Sequence, residues 1–153
     1  MSSSEIEIER KFLVKDKSFI SFAFAKHEIH QYYLSMDGSN TVRVRDKNGQ
    51  YTHTTKNDIG IKGGMEEIEK TISQDEFEFH KSRAISYIHK HRYMIKAKEQ
   101  GLVWEIDVYD DGLIVAEIEL PDINKEITIP DFIGKEVTGD RSYSNASLSK
   151  PIR

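Results

Sequence analysis

The strongest constraint in this sequence is an alternation of charged and apolar residues that recurs in short segments, with the charges sorted by sign. In an extended strand, residues i and i+2 face the same way, about 7 Å apart. Glu7, Glu9 and Lys11 thus share one face of a first segment, and Ile6, Ile8 and Phe12 share the other. Arg43 and Arg45 alternate with Val42 and Val44, Glu67 and Glu69 flank Ile68, and Lys56 keeps the phase of Thr54 and Thr52. Lys90 and Arg92 lead into Tyr93 and Ile95. Glu105 and Asp107 alternate with Trp104, Ile106 and Val108, and Glu117 and Glu119 alternate with Ala116, Ile118 and Leu120. An antiparallel sheet with one wet face explains any single segment. It explains the set less well: a solvated face usually mixes Thr, Ser, Gln, Lys and Glu, whereas these doublets run acid, base, acid, base, acid, acid.

Turn signals separate the segments: Asp37-Gly38-Ser39-Asn40, Lys47-Asn48-Gly49, Gly60 to Gly64, Gln100-Gly101 and Asp110-Asp111-Gly112. They define strands at roughly Glu5–Val14, Glu28–Met36, Thr41–Asp46, Gln50–Asn57, Glu66–Ile72, Lys90–Lys98, Val103–Tyr109 and Leu113–Leu120. Ser73-Gln-Asp-Glu76 reads as a capping box that opens a helix. Phe77, Lys81, Ala84, Ile85 and Ile88 carry that helix on at helical spacing. A weaker helix is expected near Lys17–Ala25, with Phe19, Phe22 and Phe24 as core, and a short one over Pro130–Val137. The fold class is mainly β (α+β): an antiparallel sheet of eight strands that can close into a barrel, with a few helices packed outside.

Composition sets the other bounds. At 153 residues the chain is expected to be one domain, 1–153, with its core at about 5–148. Lys+Arg 22 against Asp+Glu 26 leaves no basic excess, so nucleic acid is not an expected partner. No apolar run reaches the roughly 18 residues of a membrane span, and Met1-Ser-Ser-Ser-Glu5 does not look like a secretory signal. With no cysteine, disulfides, thiolate–zinc sites and a cysteine nucleophile are excluded. A cytoplasmic protein is the expectation.

If the charged phase faces inward, a dry lumen could not bear it, since an unpaired buried charge costs several kcal/mol. A wet lumen filled by a polyanion and divalent cations could. Carboxylates without His or Cys are hard-oxygen sites suited to Mg²⁺ or Mn²⁺. Facing ammonium and guanidinium groups suit phosphate oxygens. Together they are the components of phosphoryl transfer to water. No glycine-rich phosphate loop of the P-loop type is present, so side chains must hold the phosphate.

These residues resemble a known family. Glu7-Ile-Glu9-Arg-Lys11 fits the ExExK signature of the CYTH superfamily, the triphosphate tunnel metalloenzymes. The later elements follow in family order: Val42-Arg43-Val44-Arg45, Thr54-Thr55-Lys56, Glu67/Glu69, Lys90-His91-Arg92-Tyr93, Trp104-Glu105-Ile106-Asp107, Ala116-Glu117-Ile118-Glu119 and Glu136-Val137-Thr138 with Arg141-Ser-Tyr143-Ser-Asn145. The likeness is greatest to the small bacterial inorganic triphosphatases. It implies a closed eight-stranded barrel whose lumen is the active site, and hydrolysis of inorganic triphosphate. By resemblance, Glu7, Glu9, Glu117 and Glu119 hold metal and Glu105 and Asp107 complete the acidic side. Glu67 and Glu69 support a second metal or a water. Lys11, Arg43, Arg45, Lys56, Lys90 and Arg92 bind triphosphate, with Arg141 reaching in from the tail. Tyr33 would lie near Lys11 and tune its protonation, and Lys11 is open to two roles, phosphate ligand or general base. Met65 stands where small relatives often carry Arg, so the resemblance implies either the loss of one phosphate contact or its replacement by Lys62. The family also allows a homodimer.

Two rivals use the same barrel: cyclisation of ATP by a class IV-type adenylate cyclase, or hydrolysis of thiamine or nucleoside triphosphates. A third is a non-catalytic polyphosphate- or nucleotide-binding barrel, against which the complete acidic set speaks. The histidines (27, 30, 53, 80, 89 and 91) show no ligand spacing along the chain; His89 and His91 take the phase opposite to Lys90 and Arg92.

Overall fold

The computed structural model describes residues 2–152, so Met1 and Arg153, the ends of the expected domain, lie outside the described residues. Eight main strands are β1 (Ser2–Val14), β2 (Ala25–Asp37), β3 (Asn40–Lys47), β4 (Gln50–Asp58), β5 (Gly64–Thr71), β6 (Ser86–Lys96), β7 (Val103–Tyr109) and β8 (Ile114–Glu119). They pair antiparallel in the spatial order β6-β2-β3-β4-β5-β1-β8-β7, and β7 pairs back to β6, which closes a barrel. Closure removes the sheet edges that an open sheet of this length would expose.

Local chemistry fixes the hairpins. Asn48 and Gly49 both have positive φ, 52° and 84°, which is the pair a two-residue turn between twisted strands requires. Gly63 has φ 76°, and a Cβ there would lie 2.5 Å from the Glu9 carbonyl oxygen. That same approach lets the Gly63 carbonyl accept the Glu9 N–H at 3.1 Å, so the loop before β5 locks the β1 residue that carries the second glutamate.

Apolar phases face outward and are covered over much of the barrel, with Ile6 and Ile68 left exposed. Phe12, Trp104, Ile106 and Ile118 are buried under Phe19 and Phe132. Those two come from a 3₁₀ turn, Ser18–Phe22, and from the segment after β8. Helix α1 (Gln74–Lys81) buries Phe77 against Val44 and Ile72 beside Tyr32 and Tyr51. Its capping box forms as the sequence predicts, with Ser73 Oγ accepting the Glu76 N–H. The C-terminal segment, with the one-turn helix α2 (Asn145–Leu148), packs Tyr143, Ala146 and Leu148 against Tyr33, Tyr109 and Val115 at one end of the barrel. No helix among the described residues is long and apolar enough to cross a membrane.

Three local expectations change. The helix ends at Lys81, and Ser86–Ile88 already belong to β6, paired with Tyr33, Tyr32 and Gln31. Pairing to β2 outweighs a helical spacing that alternation happens to mimic. Pro130–Val137 yields no helix: Ile133–Glu136 form β9, which extends along β1 at Phe12 and Val14. Between Ser18 and Phe22 only the 3₁₀ turn forms; Phe19 is buried as expected, but Phe22 and Phe24 are exposed.

Candidate active site

The charged phase faces the lumen, which holds a cavity of about 680 Å³. Chain order and spatial order differ in a way that matters here. The sequence alternates acid and base, but the barrel order collects β6, β3 and β4 on one half and β5, β1, β8 and β7 on the other. Arg92, Arg43, Arg45 and Lys56 thus form a basic half-wall. Glu67, Glu7, Glu9, Glu117 and Glu105 form an acidic one, with Lys11 set into it. The two seams are stitched by cross-strand pairs of opposite charge, Lys56 with Glu67 between β4 and β5, and Arg92 with Asp107 between β6 and β7.

Within the acidic half, like charges stand directly opposite: Glu105 pairs with Glu117, and Glu9 with Glu119. Such pairs oppose folding, and the protonation pattern shows the strain. Burial and the neighbouring Glu117 carboxylate hold the Glu9 carboxyl well above its usual range. Burial also pushes Glu117 up, but the Lys11 ammonium, a hydrogen bond with Glu9 and the charges of Arg92 and Lys90 bring it well below the usual range. The two carboxyls, diagonal neighbours across β1 and β8, are thus pushed in opposite directions. A second close pair is Glu7 with Glu67: burial, then the contact with Glu67, raises Glu7, although the Lys56 ammonium lies 3.3 Å from Glu7 and 3.6 Å from Glu67. Glu7 Oε1 is buried without a hydrogen bond. Crowded oxygen donors without His or Cys fit a divalent hard cation, which would offset their mutual repulsion.

The basic half is crowded in the opposite sense. Burial, then Arg43 and Arg92, pull the Arg45 guanidinium down to about 9. Gln31 Oε1 accepts from Arg45 Nε and Nη2 at 3.2 and 3.0 Å and orients that side chain. Arg43 is 3% exposed, and its Nε has no hydrogen-bond partner. A buried, unsatisfied guanidinium is costly unless an anion completes it.

Of the residues singled out from sequence, all but two line the cavity. The exceptions are Lys90 and Asp107, which are turned into the wall. Lys90 Nζ donates to Asp107 Oδ2 at 2.7 Å and to Asn145 Oδ1 at 2.9 Å; Arg92 donates from Nε and Nη2 to the two Asp107 oxygens at 2.8 and 3.0 Å. Tyr33 is buried at the cavity, but its hydroxyl accepts from Gln31 Nε2, while the Lys11 ammonium donates to the Tyr143 carbonyl and lies 3.5 Å from Glu117. Arg141 sits at the rim, 70% exposed and 3.4 Å from Asp58. Lys62 and Met65 both reach the cavity, as does Lys47, which continues the Arg43/Arg45 phase and could have been read from that spacing.

The model of the CYTH domain matches residues 5–150. The chain belongs to the CYTH family. An inorganic triphosphatase of Acetivibrio thermocellus is 37% identical over 151 residues, covering 94% of this chain and 93% of that protein. An inorganic triphosphatase of Nitrosomonas europaea is 29% identical over 157 residues, covering 95% and 98%. A crystal structure of an inorganic triphosphatase superposes with a TM-score of 0.66 at 28% identity, covering 94% of this chain and 93% of that one. The closed barrel described above is thus the CYTH barrel, and its charged lumen is the part of the fold in which a site must be sought.

Proposed function

We propose that this CYTH protein is a divalent-metal-dependent triphosphatase that splits inorganic triphosphate into phosphate and pyrophosphate inside the barrel. The observation that carries this reading is the division of a single lumen into a basic and an acidic half. A linear polyanion laid along the basic half faces carboxylates that need cations.

Arg43, Arg45, Lys56, Lys11 and Arg92 take the phosphate oxygens. Arg43 gains the partner its buried Nε lacks. Lys11 serves as a cation and not as a base: burial lowers its pKa, but Glu117 and Glu9 raise it further, leaving it above the usual value. Glu7, Glu9, Glu117 and Glu119 would hold the ion, with Glu105 completing that side. A bound Mg²⁺ or Mn²⁺ supplies charge neutralisation and a more acidic water. Water oxygen bonds to the terminal phosphorus and the bond from that phosphorus to the bridging oxygen breaks, releasing pyrophosphate; the water proton passes to solvent. Glu67 and Glu69 would accept a hydrogen bond from the attacking water, a role consistent with their lining the cavity; Glu69 also accepts from the Thr54 hydroxyl at 3.2 Å. Asp107, with both oxygens committed to Arg92 and Lys90, positions Arg92 and does not ligate. The reading takes residues 1–153 as one tunnel domain acting in the cytoplasm.

The test is a substrate panel. Purified protein is incubated with Mg²⁺ or Mn²⁺ and, separately, triphosphate, ATP and thiamine triphosphate, and phosphate, pyrophosphate and cyclic AMP are resolved. Fastest turnover of triphosphate is expected. Cyclic AMP from ATP, or tight triphosphate binding without turnover of any substrate, would overturn the proposal in favour of a cyclase or a non-catalytic barrel.

A further inference from the structure

The outer face of the β2–β6 pair carries a second cluster that the lumen chemistry does not use. Glu28 and His30 lie two apart on β2, and His89 and His91 two apart on β6. The register sets His30 opposite His89 and Glu28 opposite His91, so all four side chains share one outward patch. Lys90, between the two β6 histidines, points the other way and is buried against Asp107.

Three imidazoles converge on one oxygen. Glu28 Oε2 lies 2.9 Å from His89 Nε2, 3.7 Å from His30 Nε2 and 3.9 Å from His91 Nε2. The ligating atoms of Glu28, His30 and His89 fall within 4.8 Å of one another. Four ligands at about 2.0–2.1 Å around a tetrahedral Zn²⁺ stand about 3.3 Å apart. The distances to Glu28 straddle that value, and the rings stand 4.5 Å apart for His30–His89 and 5.1 Å for His89–His91, so side-chain rotations, the largest at His91, would bring the fourth ligand in.

The far ring nitrogens give an independent sign. His89 Nδ1 bonds Asp110 at 2.8 Å, and His30 Nδ1 bonds the Tyr87 hydroxyl at 2.8 Å. A carboxylate or hydroxyl on the outer nitrogen is the arrangement that fixes the tautomer of a metal-bound histidine and leaves Nε2 free to ligate. A plain ion pair would account for His89 between Glu28 and Asp110. It leaves the approach of His30 Nε2 and His91 Nε2 to the same oxygen, at 3.7 and 3.9 Å, with no hydrogen bond to explain it.

From this geometry we infer that Glu28, His30, His89 and His91 form a four-coordinate Zn²⁺ site on the outer wall of the barrel. Four protein ligands leave no open position, so the site is structural: it staples β2 to β6 and, through Asp110, reaches the β7–β8 turn. Nitrogen-rich donors separate it from the all-oxygen lumen, which favours Mg²⁺ or Mn²⁺.

The test uses the full chain, stripped of metal with a chelator, with excess Mg²⁺ present to fill the lumen carboxylates, and titrated with Co²⁺ near neutral pH. One equivalent should give the intense visible bands of four-coordinate Co²⁺, lost on adding one equivalent of Zn²⁺. His89→Ala should abolish the bands, and Asp110→Asn should weaken binding by about 10–100-fold. His80→Ala, on α1, should change nothing. Triphosphate turnover with Mg²⁺ should be unchanged in His89→Ala, so failure of the zinc site and failure of the proposed function are read separately. Should His89→Ala not fold, Glu28→Gln serves in its place. Absence of the bands, or their persistence in either ligand variant, overturns the proposal and leaves a metal-free hydrogen-bonded cluster.

Discussion

Neutralising Glu117 should destroy activity while sparing the fold, and the geometry says why. Glu117 faces Glu105 across β7–β8, is hydrogen-bonded to Glu9 and lies 3.5 Å from the Lys11 ammonium. At that distance a unit pair interacts by about 1.2 kcal/mol at the dielectric constant of water and about 4.7 kcal/mol at an effective value near 20. Losing that outright would be serious for a buried lysine. In Glu117→Gln, however, Glu9 loses the repulsion that adds to burial in raising its pKa, and it stands beside Lys11 as the remaining counter-charge. The net stability change should stay near 1 kcal/mol, which for a chain of this size is roughly a 2–4 °C shift in Tm. Triphosphate turnover should fall by about 10²–10³-fold, the usual loss when one charge-stabilising group leaves a site. Phosphate release and a thermal melt, measured on the same preparation, read both. Near-normal turnover refutes the site; a Tm loss above about 10 °C refutes the compensation by Glu9.

Other perturbations separate scaffold from site. Asp107→Ala should do the opposite, costing about 3–5 kcal/mol in denaturant unfolding, because it strands the buried Lys90 and Arg92 charges. Arg43→Ala should raise KM for triphosphate by about 10–100-fold, the worth of a charged hydrogen bond, with little change in Tm. The Arg10–Glu136 pair predicts a small acid-side effect. Hydrogen bonds from Arg10, then Thr138, bring Glu136 down to about 2. A depressed carboxylate stabilises above its unfolded value, near 4.5, and that contribution is lost as pH falls towards 2. With both groups about a third exposed, screening limits it to about 0.5–1 kcal/mol. Arg10→Ala should therefore lower stability at neutral pH and converge with the parent near pH 2.

Period-two charge is a local signal, and for that reason the inward phase of Glu7, Arg43, Glu67, Glu105 and Glu117 could be read from the chain. What the chain could not supply was anything decided across strands. The separation into basic and acidic half-walls arises because pairing between strands distant in the chain sets β5, β1, β8 and β7 side by side. Lys90 and Asp107 have the right phase, yet cross-strand register and Asn145 from the tail turn them into the wall. β9 forms because β5 leaves the later part of β1 unpaired on that edge, a fact invisible in Pro130–Val137 itself. The histidines show the same limit: Glu28-Ile-His30 and His89-Lys-His91 are unremarkable doublets until β2 lies beside β6.

The central claim, hydrolysis of triphosphate by water in the divided lumen, is tested most directly by turnover in ¹⁸O-labelled water with Mg²⁺ or Mn²⁺. Equal amounts of phosphate and pyrophosphate, with label only in the phosphate, are predicted, together with loss of turnover on chelation. Label in pyrophosphate, or no hydrolysis with metal present, would contradict the account.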